Sequence, residues 1–495
     1  MSSTRALAAS ALAAALCPGA SAQDWTHHAR GPERVAAIDL ALAGAIGSPT
    51  WVRSTTAQGA AIEFVGQASL VAAADVIVAT GWIGNDFFAI AIESADGNVR
   101  WMAPMPQPVA DSWSAPAIDT SRATAIVASG RAIKALSLAD GATVWEIGTM
   151  SDIVNAAPLI VENAGSAARA FMTDFGFGAQ PGRLYAINLD AFDAISNPFA
   201  PGDLVWSRAI GPLSGATPAL HEHRVLIATS DGRVLAFDAT AVADHAPLFE
   251  AINPTGLGFF GGISVRDGFA YAASYAFFGG LSSANMIKID AATGTVIWSV
   301  PSNRTDATPV PLADGRILLS AGIAGFGSQP SLSLYVDHGA SVSRAWDTHL
   351  AGGPAAGFWT FTPVALETMN QALAPAPPAA NDPLGPMPRT LRLDLAKHPT
   401  DAGFVVETIE GAAISAATAS GQFFGVGAGG VAAFAAALVN CPGDFNGNGT
   451  IDIFDAIAFL AAFSARDPAA DLNGDGLFDF FDVQLFLAQY AAGCS

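Results

Sequence analysis

Lys288-Ile289-Asp290-Ala291-Ala292-Thr293-Gly294-Thr295-Val296-Ile297-Trp298 decides the fold of this chain. An alternating apolar run reaches Asp290, Thr293-Gly294 supplies turn residues, and a second β-branched run ends on a large aromatic. Together these read as strand, tight turn, strand. Weaker copies recur at residues 92–101 and 136–145, each keeping a polar turn, a glycine and a closing tryptophan. A recurring unit of this kind sets the architecture before any local detail does.

Taken as a phase marker, the closing aromatic returns at Trp51, Trp101, Trp145, Trp206, Phe249, Trp298 and Trp346, with a degenerate last copy around Phe404. Spacings of 43 to 61 residues suit four-stranded propeller blades with variable loops. Within one period, Ser114-Ala115-Pro116-Ala117, residues 123–127, residues 132–136 and Val144-Trp145 read as strands A to D. Residues 215–219 and 306–310 repeat the first of these. Small residues suit the crowded inner strand, and aromatics suit the outer rim, where they can dock on a neighbouring blade. Residues 411–434 supply three strands without a closing Trp, whereas residues 35–52 supply the Trp51 strand without a preceding full blade. Pairing the two ends closes the ring and removes an exposed sheet edge. The expectation is an all-β, eight-bladed β-propeller, with seven blades as the alternative because the Pro-rich insert at residues 372–388 interrupts the last copy. A small α-helical calcium-binding domain follows it.

Composition agrees with many short strands: 51% of the 495 residues are hydrophobic and 13% charged, with 50 Gly and 30 Pro. A net charge of −21 repels nucleic acid and anionic membranes and favours cations as charged partners. Residues 1–22 read as a secretory signal peptide, with Arg5, an Ala/Leu run and Ala20-Ser21-Ala22 before Gln23, so a secreted or cell-surface location is expected. Leu16 before Cys17 argues against a lipid anchor there. No other segment has the length and apolar continuity of a membrane span. The mature domains are then residues 23–440 and 441–495.

The repeat resembles the pyrroloquinoline-quinone (PQQ)-type propeller repeat of quinoprotein alcohol dehydrogenases and outer-membrane assembly scaffolds. The likeness covers roughly residues 30–440. Quinone-using members of that family carry a vicinal disulfide over the cofactor; this propeller contains no cysteine, so PQQ is not expected.

Several B–C and D–A connections, which share one propeller face, are rich in Gly and aromatics. Trp82, Phe87, Phe175, Phe177, Phe277, Phe278, Phe326 and Trp359 are the candidates for a ligand face that takes a glycan, peptide or partner protein. The alternative is that these rings turn inward and plug the channel. His221-Glu222-His223 has metal-like alternation but falls at an A–B turn, where it reads as an exposed polar hairpin.

After Cys441 the chemistry sharpens. Asp444, Asn446, Asn448, Thr450 through its backbone, Asp452 and Asp455 stand at loop positions 1, 3, 5, 7, 9 and 12, and Asp471, Asn473, Asp475, Leu477 through its backbone, Asp479 and Asp482 repeat the set 27 residues later. Calcium needs many oxygen ligands on a loop that can wrap it, so two ions are expected. Four carboxylates against three should make the second site the tighter. An apolar helical segment follows each loop, but no helix enters it. The tail therefore resembles a type I, GC-type dockerin. That resemblance implies a cohesin-like or other cell-surface partner, bound through loop positions 10 and 11: Ile453, Phe454, Phe480 and Phe481. Being apolar, these four read equally well as core. Cys441 and Cys494 flank the unit, and a disulfide clasp or a processed anchor at Cys494 are the two uses open to them.

The expected function is a non-catalytic binding or scaffold propeller attached through the calcium-dependent tail. A carbohydrate-binding or carbohydrate-active propeller and a quinone-dependent dehydrogenase are the alternatives.

Overall fold

The computed structural model describes residues 24–492 except 66–69, 74, 110–111, 178–179, 214–215, 278–282, 380–381, 440–442, 447–450 and 475. Eight antiparallel sheets, each with four strands in its meander, form an eight-bladed β-propeller. In blade 5 the order from axis to rim is Gly258–Arg266, Phe269–Tyr275, Ala284–Asp290 and Val296–Pro301, so the deciding stretch is the C–D hairpin of that blade. Its turn is held by Asp290, whose carboxylate accepts from the Ala292 and Thr293 amides at 3.0 and 2.8 Å.

The closing aromatics dock as their rim position demands. The Trp51, Trp101 and Trp206 indole N–H groups donate to Ser94 O, Leu138 O and Ala241 O of the next blade, at 3.0, 2.9 and 2.8 Å. Trp298 donates to the Asp337 carboxylate at 3.1 Å, and Lys288 of the same hairpin pairs with that carboxylate at 2.6 Å. The ring closes as expected: Ala413–Ala417, Gln422–Gly427 and Gly430–Ala435 receive Trp51–Arg53 as the outer strand of blade 8.

Three local readings are corrected. The Ala-Pro and Thr-Pro stretches lie mainly in the D–A entry, because strand A begins only at Ala117, Ala219 and Val310 in those blades. Residues 372–375 of the Pro-rich insert belong to the strand Gln371–Pro375, where their alanines and leucine are buried, and the insert proper is the loop that follows. Phe259-Phe260, which the sequence places in one of the aromatic D–A connections, lie at the start of an inner strand.

The largest feature beyond those expectations is a strap. Residues 24–40 bond to seven of the eight blades. Trp25 exchanges two backbone bonds of 2.9 Å with Ala72 of blade 1, and Thr26 O accepts from Ile118 N of blade 2 at 2.8 Å. The His27 ring accepts from Ile160 N of blade 3 at 3.1 Å. Pro32 O and Glu33 O accept from Leu220 N and Val265 N of blades 4 and 5 at 2.9 and 2.8 Å. His28 Nε2 lies 3.2 Å from Thr308 Oγ1 at the entry to blade 6. Ala37–Ile38 then adds a parallel strand to Val364–Leu366 of blade 7.

The tail comprises helix α1, Ile453–Ala465, and helix α2, Phe480–Ala492. They pack through Phe459 and Phe486, stacked with ring centroids 4.3 Å apart. Residues 1–22, Asn448, Thr450, Asp475, Phe278, Cys441 and Cys494 lie outside the described residues. Among the described residues no helix is long and apolar enough to cross a membrane.

Candidate functional site

The D–A loops converge over the axis on the face that also carries the B–C loops. Trp113, between blades 1 and 2, meets Trp359, between blades 6 and 7, edge to face at 5.4 Å. The two rings thus bridge loops three blades apart. Beneath them Arg304 lies over Tyr275 and Trp359, 4.7 and 5.1 Å from their ring centroids. Beside it Asp306 is buried, and loss of solvation pushes its carboxyl up to about 7. The Tyr275 hydroxyl interacts with that carboxyl, yet neither Tyr275 Oη nor Asp306 Oδ1 sits in a well-formed hydrogen bond, and the same holds for Trp359 Nε1 and Thr360 Oγ1.

Asp306, Thr360, Trp113 and, from the strap, His28 line an axial cavity of about 20 Å³. That volume houses about one water molecule. Polar atoms left bare at this depth are costly, and a water bridging them is the arrangement their positions favour. A tricyclic quinone does not fit the space as built, because the strap closes the channel from one side and the tryptophan pair from the other.

The expected ligand face divides into three. Phe87 and Trp359 are buried and Phe175 partly so, which makes them packing rather than surface. Phe177, Phe277 and Phe326 remain exposed at about two-fifths of their area, each on its own B–C loop. Trp82 is half-buried, held against Phe87 at 5.0 Å, and lines a separate groove. Sequence reading missed Asp306 as a distinct residue. Its place in the repeat is taken by Gly215 and Trp113 in other copies, and an ionisable group among neutral equivalents is the signal that marks it.

His221 ends an inner strand and Arg224 begins the next, so His221-Glu222-His223 forms the A–B turn; Glu222 pairs with Arg224 at 2.5 Å. Among the described residues no group of three or more His, Cys, Asp or Glu is placed to hold a metal.

In the tail the two loops share one hydrogen-bond pattern. Buried Asp455 accepts from Asn446 N and Asp452 N at 3.0 and 2.8 Å, and buried Asp482 accepts from Asn473 N and Asp479 N at 3.3 and 3.0 Å. Asp452 and Asp479 in turn cap the helices through Phe454 N and Phe481 N at 2.8 and 2.9 Å. This all-oxygen donor set suits a hard cation such as calcium, and the duplicated closure places the position 12 carboxylates alike in both loops. Ile453, Phe454, Phe480 and Phe481 are 62, 62, 70 and 62% exposed, so none of them is core.

No family model and no curated protein matches the chain. Solved propellers do. A europium-containing methanol dehydrogenase is 10% identical over 96% of this chain and 96% of its own, with a TM-score of 0.53. The quinohemoprotein alcohol dehydrogenase ADHIIG from Pseudomonas putida HK5 is 11% identical over 84% of this chain and 76% of its own, with a TM-score of 0.53. BamB from Moraxella catarrhalis is 17% identical over 74% of this chain and 94% of its own, with a TM-score of 0.50. At these identities the likeness shows the fold alone: a β-propeller.

Proposed function

We propose that this protein is a secreted or cell-surface, non-catalytic binding propeller, attached to a partner through a calcium-dependent, dockerin-like tail. The observation that carries the reading is the exposure of Ile453, Phe454, Phe480 and Phe481. Four large apolar side chains stand at equivalent positions of a duplicated motif, while the tail's own core is built from Phe459, Ala470 and Phe486. Such a patch gains by being covered. Calcium drawn into the two Asp-rich loops would fix the helix starts that present it. The sealed axis supports a binding role over catalysis.

The test is a chelator-controlled pull-down from the envelope and secreted fractions of the producing cell, using the full chain. The expected result is one partner retained with calcium, released by chelator, and lost from the variant Ile453→Asp/Phe454→Asp/Phe480→Asp/Phe481→Asp. Capture that ignores both chelator and substitutions refutes the reading.

A further inference from the structure

A groove of about 720 Å³ opens on the loop face at the seam where blade 8 meets blade 1, a volume typical of ligand sites. It exists because the inner strand of blade 1 is broken. Glu63–Phe64 pairs with Trp82 and Gly81 at one end of the next strand, and Val71–Ala73 pairs at the other. The opposite wall is the 382–386 loop of blade 7 and the Gly427 to Gly430 hairpin of blade 8.

The lining has one charge sign. Glu63 and Asp382 are exposed carboxylates with no hydrogen-bond or ion-pair partner among the described residues, and no Lys, Arg or His lines the groove. Arg53, the nearest cation in sequence, is turned away, donating to Gly97 O at 2.5 Å and Asn98 Oδ1 at 3.1 Å. Apolar surface lies between the acids: the fixed indole of Trp82, with Leu384 and Pro386. Carboxylates beside low-dielectric walls attract cations more strongly than the same groups on open surface.

We propose that this groove binds an extended segment of a partner protein that carries Lys or Arg side chains alternating with apolar ones. Its ammonium or guanidinium groups pair with Glu63 and Asp382, and its apolar side chains cover Trp82 and Leu384. An anionic ligand is repelled. A neutral glycan would stack on Trp82 but is indifferent to the two charges, which is what separates the two occupants experimentally. The proposal concerns the propeller alone and stands or falls independently of the tail.

The experiment is calorimetric titration of the full chain with acetyl-Lys-Phe-Lys-Phe-Lys-amide, acetyl-Glu-Phe-Glu-Phe-Glu-amide and cellohexaose. The Lys peptide is expected to bind and the other two are not. Its Kd should rise about tenfold or more in Glu63→Gln/Asp382→Asn, rise again in Trp82→Ala, and rise between about 50 and about 300 mM NaCl as screening sets in. The control Asp39→Asn/Asp267→Asn removes the same charge from the opposite face and should leave Kd unchanged. Equal effects of both double variants, equal binding of the Glu peptide, or binding of cellohexaose alone would each overturn the proposal. Unaltered circular dichroism and melting of the exposed-site variants exclude misfolding as the cause.

Discussion

Trp101 and Gly141 show how single residues hold neighbouring blades together. Gly141 turns the C–D hairpin of blade 2 with φ of +74°, and a Cβ there would lie 2.8 Å from the Trp101 ring of blade 1. Gly97 stands the same way against Trp51. The glycine and the tryptophan of the repeat are therefore one device read in two blades: the bare turn is the seat for the ring. Gly141→Ala forces a left-handed backbone on a residue with a Cβ and lifts the indole, and should cost about 2–4 kcal/mol. A chemical denaturation curve that matches wild type would refute the account. Asp306 and His28 make opposite demands on pH. Burial raises Asp306 from an ordinary carboxylate to about 7, so the folded state binds a proton that the unfolded chain has released; stability falls as pH rises from about 4 to about 7, by about 4 kcal/mol for this group. Burial, then the Arg34 charge, lowers His28 to about 3, so the unfolded chain binds the extra proton; stability falls as pH drops from about 6.5 to about 3, by about 5 kcal/mol. His27, lowered by the same causes, adds to the second trend. In His28→Gln the loss of melting temperature between pH 6 and 4 should be visibly smaller than in wild type, and an identical slope would show that the ring is protonated without penalty.

Among the elements, the strap and the tail answer to different physics. The strap has few side chains that match any blade, yet its backbone serves five of them, the His27 and His28 rings reach two more, and Arg34 anchors it by donating to Pro218 O and Pro158 O, both at 2.8 Å. Deleting residues 24–40 leaves Trp51–Arg53 in place but strips partners from inner-strand amides such as Ile118, Leu220 and Val265. The ring should still form, with a melting temperature lower by ten degrees or more and rapid amide exchange confined to the inner strands. Exchange unchanged there would mean the strap is ornamental. The tail depends on neutralising its acids. Asp482→Ala removes the carboxylate that closes the second loop on Asn473 and Asp479, so calorimetry should lose about one of two calcium-binding events while the first is kept. Two intact events would remove Asp482 from the ligand set. None of the strap was legible in the sequence. Residues 35–42 carry an apolar run but no turn, period or partner signal, because an element that bonds through its main chain leaves no side-chain pattern. The tail's loops stand out for the opposite reason, since five of the six expected ligands in each are side chains at fixed offsets.

At the scale of the molecule, the ring was readable from eight aromatic markers, and its closure from two incomplete ends. The contents of its axis were not, because the axis is filled by contacts between residues far apart in sequence. Asp306 carries a charge where the repeat elsewhere is neutral, but only Tyr275 from an adjoining strand and Trp359 from another loop, meeting at Arg304 of its own loop, show what surrounds it. The seam groove was hidden likewise. Trp82 announces an aromatic, but Glu63 and Asp382 stand 319 positions apart and meet only because the ring closes there.

That closure has a consequence for how the protein is made. Thr50 bonds to Ala433 across 383 positions, and the strand Trp51–Arg53 stays without its sheet partner until the last blade has been synthesised. A chain broken off before residue 430 leaves Trp51–Arg53 without a partner strand, and its raw sheet edges are open to proteases and to other chains. The tail lies beyond that point. Only molecules that have been translated to completion carry it, so under the proposed function a surface that binds the tail would collect finished propellers and leave the fragments behind.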